Sequence, residues 1–404
     1  MDVSTQATED PEFASSGQRP SRAGTKSRRH DIALYAPLAS TFYGASGEQS
    51  GGGAERQAFM LARGLSLQGF SVAHIVYPIS EPRAAESPFP TIVERGGQRT
   101  LGKLSAAAEV ATIWKALRRA DAAAYVFRGA SAGHLTATAA FCRTFQRTLV
   151  FSGSSDLDFD LRRPDRHRLQ LSLYRLAMGW TDRVVAQTEQ QLELACRAFP
   201  SLRRPTVIPS FAQAGESEPL KAEAFLWVDR LVDYKRPHLY VRLAEALPEA
   251  RFRMVIPVTS ETPPGMLEHL HAAADRLHNL ELVAPKPRPE LMDLIRRSVA
   301  IVSTSLVEGM PNTFLEAWAR GVPVLTHHVD PDGVVSGNGL GIAACGSWEG
   351  FVEGAEALWR DPSLRANAAQ RGRLYIERVH SPEAVVKRWT ELLSDVLPPR
   401  LFLQ

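Results

Sequence analysis

Glu308-Gly309-Met310-Pro311-Asn312-Thr313-Phe314-Leu315-Glu316-Ala317-Trp318-Ala319-Arg320-Gly321-Val322-Pro323 decides how this chain folds. The apolar run 299–302 ahead of it reads as a buried parallel strand. Ser303, Thr304 and Ser305 open a loop that holds Glu308, and Gly309 allows a sharp backbone bend there. Pro311 and Asn312 start helices, so the spacing predicts a helix over 313–320. Gly321 is a natural C-terminal stop, Pro323 ends the helix, and a strand over 322–326 follows at once.

That order has a chemical consequence. In an open parallel sheet, a strand–loop–helix unit puts its loop at the carboxyl edge, where ligands bind. Free N–H groups near Thr313 and Phe314 suit an anion such as a diphosphate. Glu308 precedes the helix and Glu316 lies about one turn into it, so the two carboxylates can serve two parts of an elongated ligand. A carboxylate suits sugar and ribose hydroxyls because it accepts two hydrogen bonds from a vicinal diol. Two solvated glutamates at a generic helix start would be the bland alternative. The long string, continued by Gly-Val-Pro-Val, disfavours it.

The segment resembles the signature of the family 4 retaining glycosyltransferases, which have the GT-B fold. Their hallmark is two glutamates separated by seven residues, here Glu308 and Glu316. The resemblance implies that Glu308 contacts the donor sugar and Glu316 holds the nucleotide ribose. Gly309, Met310, Pro311, Asn312 and Thr313 fall between them and are expected to line the donor site. A weaker resemblance extends from about residue 31 to residue 395.

Composition is consistent with this class. A chain of 404 residues suits two domains better than one core. Its 44% hydrophobic and 23% charged residues are ordinary for a soluble protein, and a net charge of +3 argues against nucleic acid as the main partner. Cys142, Cys196 and Cys345 are too few and too scattered for a disulfide framework or a zinc site, which points to the cytoplasm. No apolar run approaches the ~18 residues of a membrane span. The basic run Arg162, Arg163, Arg166 and Arg168 reads either as a solvated face or as a peripheral contact with the inner membrane face or an anionic acceptor.

The chain divides as follows. Residues 1–30 are poor in aliphatic side chains and are expected to be a disordered tail. Strands over 31–37, 71–76, 122–127, 148–151 and 183–186 alternate with helices over 54–68, 106–119, 135–145 and 169–180, the pattern of a doubly wound parallel sheet. Residues 31–211 thus form a first Rossmann-like α/β domain, on the acceptor side. A small, polar, Pro-interrupted linker covers 212–222, and a second alternation over 223–380 forms the nucleotide-sugar domain. The fold class is therefore α/β; the resemblance implies the GT-B arrangement of two such domains across a cleft. It also implies that residues 381–404 cross back onto the first domain as a helix.

Other constellations fit the same site. Gly51-Gly52-Gly53-Ala54-Glu55 joins the first strand to the first helix. Its glycines allow a positive-φ turn and close approach to phosphate at Gly52 and Gly53. Arg230 follows a short strand, with Lys235 five residues later. Two cations there can hold a diphosphate and take up charge as the nucleotide leaves. Arg128 ends a strand where many family members carry a sugar-contacting His; this chain departs from that, with His134 further on inside the next helix. Asp156, Asp158 and Asp160 alternate in a loop and could chelate Mg²⁺ or Mn²⁺. GT-B members mostly need no catalytic metal, so Asp156 is read instead as a residue of the acceptor cleft. His327 and His328 adjoin each other and should point apart rather than share a metal.

The expected activity is retaining sugar transfer from a nucleoside-diphosphate sugar to an acceptor hydroxyl, in polysaccharide or glycoconjugate synthesis, with no cofactor and no metal. The acceptor class stays open between a glycan, a lipid-linked and a small-molecule acceptor. Two alternatives share the architecture: a sugar-nucleotide 2-epimerase and a non-catalytic GT-B partner subunit.

Overall fold

The structure is a computed structural model that describes residues 30–43, 52–78, 90–93, 103–129, 131–161, 167–212, 220–259 and 261–397. The expected tail (but for residue 30), most of the linker, Gly51, Arg162, Arg163 and Arg166 lie outside the described residues.

The first domain carries strands β1 (Ile32–Tyr35), β2 (Val72–Val76), β3 (Thr91–Val93), β4 (Ala124–Arg128), β5 (Thr148–Ser152), β6 (Arg183–Ala186) and β7 (Thr206–Val207). Its helices are α1 (Gly53–Leu67), α2 (Lys103–Ala120), α3 (Ala132–Thr144), α4 (Arg168–Gly179) and α5 (Glu189–Ala198). The strands pair in parallel in the order β3-β2-β1-β4-β5-β6-β7. Alternation along β1 explains how both faces are covered. Ile32 and Leu34 enter one core with Leu61 and Leu65 of α1, while Ala33 and Tyr35 enter the other with Leu117 and Phe141.

The second domain repeats the plan. Strands β8 (Ala224–Val228), β9 (Phe252–Val255), β10 (Leu280–Val283), β11 (Ser298–Ser303), β12 (Val324–Thr326) and β13 (Gly341–Ala343) form a parallel sheet ordered β10-β9-β8-β11-β12-β13. Its helices are α6 (Pro237–Ala246), α7 (Met266–Arg276), α8 (Arg288–Arg296), α9 (Asn312–Ala319), α10 (Val334–Gly337), α11 (Trp348–Arg360) and α12 (Pro362–Tyr375). Each sheet changes winding direction beside its first strand, at β1/β4 and β8/β11, and ligands of such sheets bind at that crevice.

The last helix, α13 (Pro382–Val396), returns to the first domain. Its Val385, Val386, Trp389, Leu392 and Leu393 are buried in the core that holds Ile32 and Leu34. Gly64 of α1 permits the close approach, because a Cβ there would lie 2.4 Å from Val386 Cγ2. The crossing is tied at its root: Ala212 N donates to His380 O (2.8 Å), and His380 Nδ1 bonds Ser210 O (2.7 Å).

Candidate active site between the two domains

The loops after β8 and β11 build the centre of the site. Trp227 Nε1 donates to Thr304 Oγ1 (3.0 Å), and Thr304 Oγ1 donates to the carbonyl of Lys235 (2.6 Å). Leu306 N donates to Tyr234 O (2.8 Å), and Arg236 Nε donates to Thr304 O (2.7 Å). These bonds turn Lys235 inward, where its ammonium bonds Glu308 Oε1 and sits 2.6 Å from Asp229 Oδ2. Burial alone would lower the pKa of Lys235, but Glu308 and then Asp229 outweigh it and hold the ammonium above its ordinary value. Burial pushes the Asp229 carboxyl up, Lys235 pulls it down, and Glu308 adds to the rise.

Lys235 and Glu308 therefore meet, as their motif positions suggest. Arg230 stands apart. It is half-exposed, with Nη1 on Glu261 (2.7 Å) and Nη2 on Tyr234 OH (2.9 Å). Asp229 was not singled out from sequence; its position at the end of β8, one residue before Arg230, was the available signal.

Helix α9 begins at Asn312, and no side chain caps it. Phe314 N in its first turn already donates to Pro311 O (3.1 Å), and the N–H groups of Asn312 and Thr313 stand ahead of it at the positive end of the helix dipole. Gly321 ends the helix at φ +70°, with Val322 N returning to Ala317 O at 2.9 Å. Glu316 lies on the same helix with its carboxylate bound to Arg288 Nη1 at 2.6 Å. Both side chains are largely buried, at 16% and 18% exposure. Arg288 was also missed from sequence: a lone Arg in a Lys-Pro-Arg-Pro run shows nothing of a partner 28 residues away.

The glycines act by proximity rather than by a positive φ, although Gly309 does sit in the expected bend. Gly52 has a φ of −67°, not the positive φ expected of it. A Cβ on Gly53 would lie 2.2 Å from Asn312 Nδ2, so α1 and α9 meet end to end across the cleft. Gln57 reinforces that meeting, donating to Asn312 Oδ1 and Phe211 O at 2.8 Å each. Gly309 is likewise absent from the positive-φ residues; a Cβ there would lie 2.5 Å from Gln187 Oε1. It is small because the first domain presses on it. Pro311 provides the N-cap position of α9, Met310 is buried, and Thr313 occupies the first turn.

Three features of the first domain face this centre. Asp156 starts a 3-10 turn after β5 and accepts from Gln191 Nε2 (3.3 Å). Burial pushes its carboxyl up to about 7; the Gln191 bond opposes the rise, and nearby Glu308 adds to it. Asp158 is consumed locally, accepting from Ser154 N, Ser154 Oγ and Ser155 N at 2.7–3.1 Å, so it is a structural cap of its own loop. Among the described residues no group of three His, Cys, Asp or Glu side chains could hold a metal ion. His327 packs edge-on to Phe351 while His328 faces a cavity, so the two do point apart.

Arg128 donates to Ser152 Oγ (2.8 Å), and Gln187, with its amide oriented to satisfy both ends, accepts from Arg128 Nη2 (3.1 Å). Burial lowers the pKa of Arg128 to about 10, against the pull of Asp158 and Glu55. Arg128 lines a pocket of about 260 Å³ at the β1/β4 switch point, together with Tyr35, Glu55, Tyr77 and His134. His134 is held by Glu109 (2.7 Å) and Tyr35 OH (3.0 Å).

A second and larger cavity, of about 1380 Å³, runs from Glu308 and Asp156 between α5 and the loop 328–331. The domains close over it through Asp332, whose carboxylate accepts from the backbone N–H groups of Glu189 (2.9 Å) and Gln190 (2.8 Å) at the start of α5.

Residues 211–375 match the family described as glycosyl transferases group 1. A D-inositol 3-phosphate glycosyltransferase of Kribbella flavida is 31% identical over 159 residues, which is 34% of this chain and 36% of that one. The match thus spans about a third of that relative. The glycosyltransferase 1 domain-containing protein 1 of Xenopus tropicalis is 24% identical over 57% of this chain and 71% of its own. Among solved structures, the sucrose-phosphate synthase of Thermosynechococcus elongatus superposes with a TM-score of 0.74 at 14% identity, covering 91% of this chain and 99% of that one. HepE of Anabaena, crystallised with UDP-glucose, gives 0.69 at 15% identity over 91% of this chain and all of its own (100%). The second domain thus resembles the group 1 glycosyltransferases, and the two domains together have the GT-B fold.

Proposed function

We propose that this chain is a retaining glycosyltransferase that moves a sugar from a nucleoside-diphosphate donor to an acceptor hydroxyl, in polysaccharide or glycoconjugate synthesis. The observation that carries the reading is the Asp229–Lys235–Glu308 cluster beside the uncapped start of α9. It sets a fixed ammonium and two carboxylates beside the start of a helix, the combination of charges and backbone donors that a sugar diphosphate requires. That HepE binds UDP-glucose supports the donor class.

In this reading the diphosphate lies against the start of α9, with Gly52 and Gly53 close to it and Arg230 swinging in from Glu261. Lys235 takes up charge as the C1–O bond to the phosphate breaks. Glu308 orients the sugar. Glu316 receives the ribose diol with one oxygen while Arg288 keeps the other in place. The acceptor hydroxyl approaches from the first domain, near Asp156, and its proton passes to the leaving phosphate on the same face of the sugar. No metal enters the scheme, since Lys235, Arg230 and the helix terminus offset the charge. Among the described residues no helix is long and apolar enough to cross a membrane.

The test is kinetic. Glu308→Gln should lower turnover, and Glu316→Ala should raise the donor KM, because a ribose contact acts in ground and transition states alike. Activity should survive EDTA. Parental rates in both variants would remove the donor site from this cleft. Turnover of a nucleotide sugar without any acceptor, giving its 2-epimer, would make the chain an epimerase. No turnover or hydrolysis of any donor would leave the partner-subunit reading.

A further inference from the structure

The cavity beside Glu308 has room for more than a monosaccharide acceptor. Its volume of about 1380 Å³ exceeds the ~300–1,000 Å³ usual for small-molecule pockets. It shares Glu308 and Gly309 with the donor-sugar side but is lined by none of Arg230, Lys235 and Glu316, so it extends away from the nucleotide end of the donor. Its walls are divided by chemistry. Asp156 and Glu308 mark the inner end. Leu157, Leu194, Phe199 and Leu306 form an apolar stretch; Arg175 stands on α4 and Arg197, paired with Glu193 at 2.8 Å, on α5, while Asp160 and Asp330 also line it.

Arg175 links this cavity to an unusual surface. Helix α4 buries Tyr174, Ala177 and Met178 on one side. Its other side carries Arg168-Leu169 and Arg175-Leu176, an Arg-Leu pair repeated after seven residues and so stacked on one face. Leu169 is 71% exposed and Leu176 45% exposed. On α5, Leu194 is 37% exposed and also lines the cavity. A soluble surface helix normally turns such leucines inward. Arginines beside exposed leucines are the pattern that rests on an anionic bilayer, with the cations at the headgroups and the leucines among the upper acyl carbons.

We propose that the acceptor is an amphiphile bearing an anionic group, and that the Arg-Leu face of α4 seats the cavity's rim on an anionic lipid surface from which that acceptor enters. Its anionic group lies at Arg175 and Arg197, its apolar part along Leu157, Leu194 and Phe199, and its hydroxyl between Asp156 and Glu308. This rests on the glycosyltransferase reading and names the acceptor class for it.

The test uses the full chain and two lipid probes. Co-sedimentation with vesicles of phosphatidylcholine containing phosphatidylglycerol should greatly exceed that with phosphatidylcholine alone, and should weaken in high salt. Leu169→Ser with Leu176→Ser should reduce it about tenfold or more without moving the melting temperature. The cavity has its own readout. Cys345 lines it and is exposed, while Cys142 is buried. In a Cys196→Ser background, lysophosphatidylglycerol below its micelle threshold should slow maleimide labelling of Cys345 several-fold, and lysophosphatidylcholine should not. Equal binding to both vesicles, equal binding by parent and variant, or unprotected Cys345 each overturns the proposal. So does a lipid-free dimer that the leucine variant dissociates, since a second copy would then be the occupant. Nucleotide-sugar binding, measured on the same preparation, tells whether the transferase reading fails independently.

Discussion

Lys235 illustrates how position changes the meaning of a residue. From sequence it pairs naturally with Arg230 as one of two phosphate-binding cations. In the structure its side chain is 8% exposed and already faces two carboxylates, while Arg230 is 49% exposed and bound to Glu261. The two alanine variants should therefore differ. Lys235→Ala leaves Asp229 and Glu308 as unshielded neighbours and should cost about 3 kcal/mol of stability as well as activity. Arg230→Ala should leave the urea midpoint in place and weaken donor binding alone. Identical midpoints for parent and Lys235→Ala would show that the cluster has no structural role. Asp156 gives a pH signature. Its folded carboxyl, raised by burial, keeps its proton up to about pH 7, whereas the unfolded one releases it in the ordinary carboxylate range. The folded chain thus binds more protons between about pH 4 and 7, and stability falls as pH rises through that window. Asp156→Asn removes the slope, so its melting temperature should gain on the parent from pH 5 to 7.5; a constant difference across that range would rule the titration out. The glutamates, Lys235 and the short span around α9 were legible because a loop, a helix start and a stop fall within a few consecutive residues. Arg288, Gln187 and Asp332 were not, since each matters only through a partner far along the chain, whereas Asp229 lies six residues from Lys235 and was missed for want of a distinctive neighbour.

At the level of elements, strong apolar runs gave the strands: β6 has the expected limits, and β11 extends its run by one residue at each end. The sequence reading passed over β3 and β13, which are three-residue edge strands with nothing periodic to detect. The positive-φ turn expected at Gly52 is absent for a related reason, while the bend expected at Gly309 is present without a positive φ. A glycine needed for an approaching side chain looks the same in sequence as one needed for a positive φ. Gly64 on α1 is of the approaching kind, and it offers a test of the α13 crossover. Alanine there gains roughly 1 kcal/mol of helix propensity. Its Cβ would meet a methyl of Val386, a short and stiff side chain that is itself 4% exposed, at 2.4 Å. Overpacking of that kind costs ~1–3 kcal/mol and should win. Gly64→Ala is therefore expected to destabilise, and Val386→Ala in the same chain should restore part of the loss, a positive coupling in a double-mutant cycle. Additive effects would mean that α13 does not press on α1 at this point.

The whole molecule poses the question of closure. The alternating pattern made two α/β halves legible, but not how they meet, because beyond the α13 crossover the cleft is bridged by polar side chains that no periodic pattern marks. Gln57 bonds Asn312 and the backbone of Phe211, and Asp332 caps the start of α5 from the opposite domain. The Asp332 bonds are charge-assisted, on a helix terminus whose dipole favours an anion, and such hydrogen bonds contribute a net ~1.5 kcal/mol or less each where they are solvent-exposed, as here. Removing them should shift the balance toward an open form and reduce apparent donor affinity by the fraction of closed molecules lost, about tenfold for a 1.4 kcal/mol shift. Glycine is the cleaner replacement, since Asp332 has a φ of 52° that strains alanine and not glycine. Asp332→Gly should enlarge the radius of gyration in small-angle scattering and raise the donor KM, with kcat changed less. Saturating nucleotide sugar should return the radius to the parental value, because a ligand that binds only the closed form draws the population back. An unchanged radius together with an unchanged KM would reduce Asp332 to a local helix cap and leave closure to the contacts around Gln57 and the α13 crossover.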